Sequence, residues 1–127
     1  GLDAGKIYQS WPTYNGEMLP DDINFKNFNF FDFSNNSYVQ FLHRNLGYII
    51  FFLFIYIGYK IFFIYKEKKW YNIYILIFFF ILLQIFLGVI TLLSNLNIYV
   101  ALLHQISSIF LTLLSINLYF LIQKNAI

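Results

Sequence analysis

Residues 71–93 read YNIYILIFFFILLQIFLGVITLL, and no charged residue interrupts them. Two further apolar stretches cover roughly residues 39–65 and 98–122. A helix needs about 20 predominantly apolar residues to cross the hydrocarbon core of a bilayer, and each stretch is at or above that length. The sequence therefore predicts three transmembrane helices in a membrane domain that covers residues 39–127.

The composition agrees with an all-α membrane protein. Hydrophobic residues make up 60% of the 127 residues and charged residues only 11%, whereas an average soluble domain carries about 25% charged residues. The net charge of +2 is too small, and its lysines too clustered, to indicate nucleic-acid binding. The chain has no cysteine, so disulfides and thiolate ligands are excluded from its chemistry. We expect the lipid bilayer to be its main surrounding.

The lysines predict the orientation of the chain. Five of them lie at span ends that should face the same side of the membrane, namely Lys60, Lys66, Lys68, Lys69 and Lys124. Positively charged loops favour the cytoplasm or the mitochondrial matrix, so residues 1–38 and the short 94–97 turn should lie on the opposite face. Lys6 and Lys26 weaken this asymmetry without reversing it.

Residues 1–38 form an extramembrane loop in this reading. Within it, residues 24–36 alternate phenylalanine with asparagine and other polar residues. Compositional drift or an aggregation-prone tract would give the same pattern. We favour a segment that lies at the headgroup level, with its apolar side down and its amides up.

The only two histidines, His43 and His104, lie about 6 Å and about 10 Å inside their apolar stretches, counted from the same membrane face. An imidazole in hydrocarbon is costly unless its nitrogens find partners, and two imidazoles at one depth are what six-coordinate haem iron requires. Each histidine could instead be a hydrogen-bonded core or headgroup residue. We predict that the pair binds the iron of one haem.

Two neighbours of His43 are candidate cofactor-binding residues. Arg44 could bind haem propionates through its planar guanidinium, although it could equally extend to lipid phosphate. Gln40 lies one helical turn from His43 and is a candidate partner of its imidazole. Small residues near the histidines, such as Gly47 and Gly88, either allow close helix packing or leave room for a flat macrocycle, and the sequence does not decide between these.

No hydrolytic or metal-protease motif competes with this interpretation, because no carboxylate lies inside a span and His-Glu-x-x-His is absent. Any catalysis must borrow a cofactor. Two alternatives remain open. One is a membrane electron-transfer subunit with a bis-histidine haem b, and the other is a non-catalytic membrane assembly subunit whose histidines only hydrogen-bond across helices.

An ordered set of short segments resembles the C-terminal half of haem A synthase, in the version found in alphaproteobacteria and mitochondria. The segments are GLDAGKIY (1–8), WP (11–12), Pro20, VQFLHR (39–44), QIFLGVITLL (84–93) and LLHQ (102–105). The resemblance implies a protein of eight spans in two similar four-helix bundles, which oxidises a methyl group of haem O to the formyl group of haem A for cytochrome c oxidase.

By this resemblance the present chain supplies three helices of a four-helix haem-binding bundle, and its histidines hold haem b. Substrate haem O and the carboxylate involved in the chemistry would belong to the other half of the protein. We expect a fragment or a split gene product that is inactive alone, in a bacterial plasma membrane or a mitochondrial inner membrane. Haem O synthase and oxidase assembly factors are the partners expected from the same resemblance.

Overall fold

A computed structural model describes residues 3–23 and 33–124 of the chain. A short 3-10 helix, Asp3–Lys6, precedes three long helices. Helix α1 covers Asn36–Tyr59 and continues as a π-helix over Lys60–Tyr65, α2 covers Lys68–Leu93 and α3 covers Ile98–Gln123. All three are long and apolar enough to cross a membrane. The prediction of an all-helical protein with three membrane spans is confirmed, and the described residues form no strand.

Side-chain caps define where two of the helices begin. The Asn35 side chain accepts a hydrogen bond from the Tyr38 amide at 3.1 Å, and the Asn97 side chain accepts one from the Tyr99 amide at 3.0 Å. The first amides of a helix have no partner within the helix, so an asparagine at this position stabilises its start. Helix α1 therefore begins at Asn36, slightly before the apolar stretch from which it was predicted.

Left-handed residues turn the chain between the helices. Lys66 has a φ of 54° and donates its amide to the Ile61 carbonyl, which ends the π-helical segment. Asn95 and Leu96 both have a φ of 56° and join α2 to α3. The two turns lie at opposite ends of α2, so the lysine-rich connection and the 94–97 connection are separated by the length of that helix. Which face of the membrane each occupies stays a prediction.

The helix core lies toward the lysine-rich end. Its buried residues are Ile61, Trp70, Tyr74, Ile77, Ile81 and Leu118. At the contact between α1 and α2, the Tyr74 hydroxyl donates a hydrogen bond of 2.8 Å to the Phe54 carbonyl. Its ring lies directly against Gly58, where any Cβ atom would overlap the phenol. Glycine at position 58 therefore allows α1 and α2 to pack closely.

Residues 3–23, which we call loop 3–23, fold against the other end of the helices. Tyr8 and Tyr14 are both buried and meet edge to face with their ring centroids 5.3 Å apart. The Tyr8 hydroxyl lies 2.7 Å from carboxylate oxygens of Asp21 and of Asp22. Most of the predicted headgroup-level segment, residues 24–32, lies outside the described residues.

Candidate functional site

The two histidines lie close together at matched depth. His43 lies seven residues after the start of α1 and His104 six residues after the start of α3, which is about 10 Å along each helix. Their ring centroids are 6.2 Å apart, with an angle of 73° between the planes. Two imidazoles that bind one metal from opposite sides, at metal–nitrogen distances of about 2 Å, place their centroids about 6 Å apart. The separation therefore fits one metal ion between the rings.

The donor set favours iron in a macrocycle over a bare metal ion. A protein-held zinc or copper site needs three or four side-chain ligands, and the described residues contain no group of three histidine, cysteine, aspartate or glutamate side chains that could hold a metal. Axial ligation of haem needs only two, because the porphyrin supplies the other four nitrogens. The residues present fit a bis-histidine haem.

Polar and small residues of α2 shape the surroundings of His104. The Gln84 amide donates hydrogen bonds to the His104 carbonyl at 3.0 Å and to the Ser107 hydroxyl at 2.6 Å, so it ties α2 to the backbone of α3 at the histidine. One turn further along α2, a Cβ atom on Gly88 would lie 3.3 Å from Cε1 of His104. The imidazole thus packs against the α2 backbone, and its Nδ1 is buried without a hydrogen-bond partner in the described part of the chain.

The surroundings of His43 are open. His43 is itself exposed, and a Cβ atom on Gly47, one turn along α1, would meet no heavy atom of the described residues within 4 Å. Positions i and i+4 share a face of a helix, so Gly47 leaves space beside the imidazole. A buried nitrogen on one histidine and free space beside the other are features that a flat cofactor between them would use.

Arg44 and Gln40 bind the backbone of loop 3–23. The Arg44 guanidinium donates to the carbonyls of Tyr8 at 3.1 Å, Ser10 at 3.0 Å and Thr13 at 3.2 Å. Gln40 donates a bond of 2.8 Å to the same Tyr8 carbonyl. The carbonyls use three of the five N–H groups of Arg44, so donors remain for a second acceptor. Contact of either residue with a cofactor stays a prediction.

The described carboxylates at this end of the helices belong to loop 3–23, since the predicted spans hold none, whereas α1 contributes the positive charge of Arg44. Burial, and then the hydrogen bonds to Asp22 and Asp21, raise the pKa of Tyr8 above its ordinary value. Tyr8 is therefore a neutral donor to two carboxylates at neutral pH.

Sequence reasoning did not assign a site role to Gln84. Its signal was present, because Gln84 is a strongly polar side chain near the middle of the apolar stretch 71–93, and polar side chains within a membrane span usually have a specific partner. What the sequence lacked was the identity of that partner. The helix pairing supplies it by placing Gln84 opposite the carbonyl of His104.

Comparison with known proteins gives one consistent family. Residues 1–116 match the model of the COX15-CtaA family, described as cytochrome oxidase assembly protein. The chain is 44% identical to the haem A synthase of Pelagibacter ubique over 99% of its own length, which is 36% of that protein. It is 36% identical to the haem A synthase of Wolbachia pipientis over 95% of its length, and 34% identical to that of Rickettsia africae over 98%.

The chain spans about a third of the length of these curated relatives, 36% in the first of them. No solved structure matches it. The family match covers most of the described helices and both histidines. With its three apolar helices and its closely spaced histidine pair, this chain belongs to the COX15-CtaA family of cytochrome oxidase assembly proteins.

Proposed function

We propose that this chain is the haem b-binding C-terminal half of a haem A synthase, an oxidoreductase that converts a methyl group of haem O to the formyl group of haem A. The observation that supports it best is the distance of 6.2 Å between the ring centroids of His43 and His104, which project from different helices. Membership of the family and similarity to haem A synthases favour this activity over the other uses of a bis-histidine haem.

In this proposal His43 and His104 are the residues that would hold the iron of haem b. A bound haem b supplies one-electron transfer. Gly47 leaves space beside His43, Gly88 lets the His104 imidazole pack against α2, and Gln84 holds the α3 backbone so that His104 stays in position. The hydrocarbon of the bilayer would give an iron centre at this depth a low dielectric constant, which would tune its potential.

Arg44 and Gln40 have supporting roles in the same proposal. The remaining N–H groups of Arg44 bind a haem propionate, for which a planar guanidinium is well suited. The Oε1 atom of Gln40 is buried and has no hydrogen-bond partner among the described residues. It therefore offers an acceptor to an imidazole N–H one turn away, the contact that usually orients a ligating histidine.

Substrate and partners come from outside this chain in the proposal. Haem O and the carboxylate that takes part in its oxidation are held by the remaining part of the protein, and this chain alone does not complete the reaction. The host membrane is a bacterial plasma membrane or a mitochondrial inner membrane. Haem O synthase and oxidase assembly factors are the proposed protein partners.

An optical spectrum of the purified intact protein tests the haem site. We expect the reduced protein to show a low-spin b-type spectrum that is lost in His43→Ala and in His104→Ala. Gln105→Ala is the matched control, because Gln105 is an exposed neighbour of His104 that should keep the pigment. Pigment unaffected by both histidine variants would contradict the proposal and favour a non-catalytic assembly subunit.

Extraction of haems from cells that lack the gene tests the activity. Loss of haem A together with accumulation of haem O is the expected result. Unchanged haem A in such cells, with the b-type spectrum of the purified protein intact, would instead indicate an electron-transfer subunit. The two experiments therefore separate the proposed enzyme from both alternatives.

A further inference from the structure

Loop 3–23 is attached to α1 directly beside His43. Arg44 follows His43 in the chain, and its guanidinium binds three carbonyls of the loop. Its central carbon also lies 4.3 Å from the centroid of the Tyr14 ring, a cation–π contact on the same loop. One turn earlier on α1, Gln40 binds the Tyr8 carbonyl. Gln40 and Arg44 are four residues apart and share a face of α1, so one helix face next to His43 orders the loop backbone.

The same loop also contacts the turn that leads into α3. Gln9 hydrogen-bonds to the side chain of Asn95, and the Leu96 side chain packs on Gly5. The buried core between the helices lies toward the lysine-rich end, whereas the histidines lie near the starts of α1 and α3. At the histidine end, loop 3–23 therefore bridges the helix that carries His43 and the turn before the helix that carries His104.

We propose that Arg44 is a positioning residue that folds loop 3–23 into a cover over the end of α1 and the turn before α3, between the His43–His104 pair and that face of the membrane. From that face the cover limits the access of polar solutes to the cofactor. The access part rests on the proposed haem site, whereas the folding of the loop by Arg44 does not. The cover explains why an arginine is needed at this position. The planar guanidinium of an arginine can donate hydrogen bonds to several carbonyls at once, whereas the compact ammonium group of a lysine cannot reproduce that arrangement.

Hydrogen exchange measures the folding of the loop in the intact protein. The amides of Tyr14 and Glu17 each donate to the other residue's carbonyl, so their protection reports loop order. We expect Arg44→Met to speed their exchange by about tenfold or more, because loss of several charge-assisted hydrogen bonds favours local opening. Arg44→Lys should behave like Arg44→Met. Protection equal to wild type in Arg44→Lys would show that only the charge matters and would overturn the proposal.

The rate of oxidation of the reduced pigment by ferricyanide measures access. One electron passes from the ferrous iron to ferricyanide, which becomes ferrocyanide. Removal of a positive charge by itself slows the approach of an anion, whereas opening of the cover speeds it. We expect the pigment that Arg44→Met retains to react about tenfold faster or more. A slower or unchanged reaction would overturn the access part.

Two further variants make the outcome specific. Lys60→Met removes a positive charge at the distant end of α1 and should change neither measurement. His43→Ala removes a proposed iron ligand and should leave the protection of Tyr14 and Glu17 intact. Absence of pigment from the wild-type protein would refute the proposed haem site, while the exchange experiment would still test the role of Arg44. Normal pigment with unchanged exchange in Arg44→Met would refute only the cover.

Discussion

Replacement of Gly47 by leucine should leave the fold as stable as before, or more stable, but should reduce its ability to bind a haem. Gly47 lies in the interior of α1, where glycine is about 1 kcal/mol less favourable than alanine and leucine is nearly as good as alanine. A Cβ atom at this position meets no described heavy atom within 4 Å. The helix should therefore accept leucine without steric cost, and the free energy of unfolding should stay equal or rise by up to about 1 kcal/mol.

The effect on the pigment should be opposite. Leucine at position 47 occupies the space one turn from His43, on the same face of α1. If a haem macrocycle needs that space, the variant must displace either the macrocycle or its own side chain, at a cost of about 1–3 kcal/mol for an overfilled site. Since 1.4 kcal/mol corresponds to a factor of ten in binding, haem retention should fall by about tenfold or more.

The assay combines a denaturant titration in detergent with the b-type absorbance of the same samples. Gly47→Ala is the matched intermediate, with the same gain in helix propensity and a much smaller intrusion. The reasoning is refuted if Gly47→Leu keeps the full pigment, because the space beside Gly47 would then face lipid. It is equally refuted if the variant loses its helical fold together with the pigment.

Three further predictions follow from contacts in the structure. Gly58→Ala should destabilise the protein by about 2–4 kcal/mol in the same titration, because the new methyl group displaces the Tyr74 phenol and breaks its hydrogen bond. An unchanged denaturation midpoint would contradict the close contact between Gly58 and Tyr74. Gln84→Leu should lower the free energy of unfolding by about 1–2 kcal/mol, because it loses two interhelical hydrogen bonds. The same variant should retain less haem after dilution. Haem retention equal to that of the wild type would argue against a positioning role for Gln84. Burial raises the pKa of the Asp22 carboxyl, yet its hydrogen bonds, including the one from Tyr8, outweigh burial and hold the pKa below 3.8. Its contribution to loop stability is thus present at neutral pH and lost as the pH falls through the lowered value. The protection factors of amides in loop 3–23, which correct for the intrinsic pH dependence of exchange, should therefore fall in acid, and fall less in Tyr8→Phe.

The sequence was sufficient for the membrane spans because hydrocarbon imposes a local rule. Every backbone group in the bilayer must be satisfied within its own helix, so an apolar stretch of sufficient length is enough to predict a spanning helix. The stretch 71–93 met that condition, and the structure has α2 there. Counting from the apolar stretch put His43 about 6 Å deep, but the Asn35 cap starts α1 at Asn36, so His43 lies about 10 Å along its helix, like His104.

The roles of individual polar side chains were less accessible. Arg44 and Gln40 were recognised as neighbours of His43, but their observed partners are carbonyls more than thirty residues earlier in the chain. The same limit applies to Gly58, whose need for a small side chain depends on Tyr74 of another helix. Such contacts depend on how separate segments pack, and residue spacing within one segment carries no information about them.

By itself, the sequence determined that this chain is helical, that three of its stretches are long and apolar enough to cross a membrane, and that its two histidines lie near the same end of those stretches. These properties follow from hydropathy and helix geometry, which act within each segment. The tertiary structure alone decided that the centroids of the two rings lie 6.2 Å apart and that a folded loop binds next to His43 through Arg44. Rotation of one helix relative to another and the path of a loop arise from contacts between distant segments, so they become defined only when the helices pack.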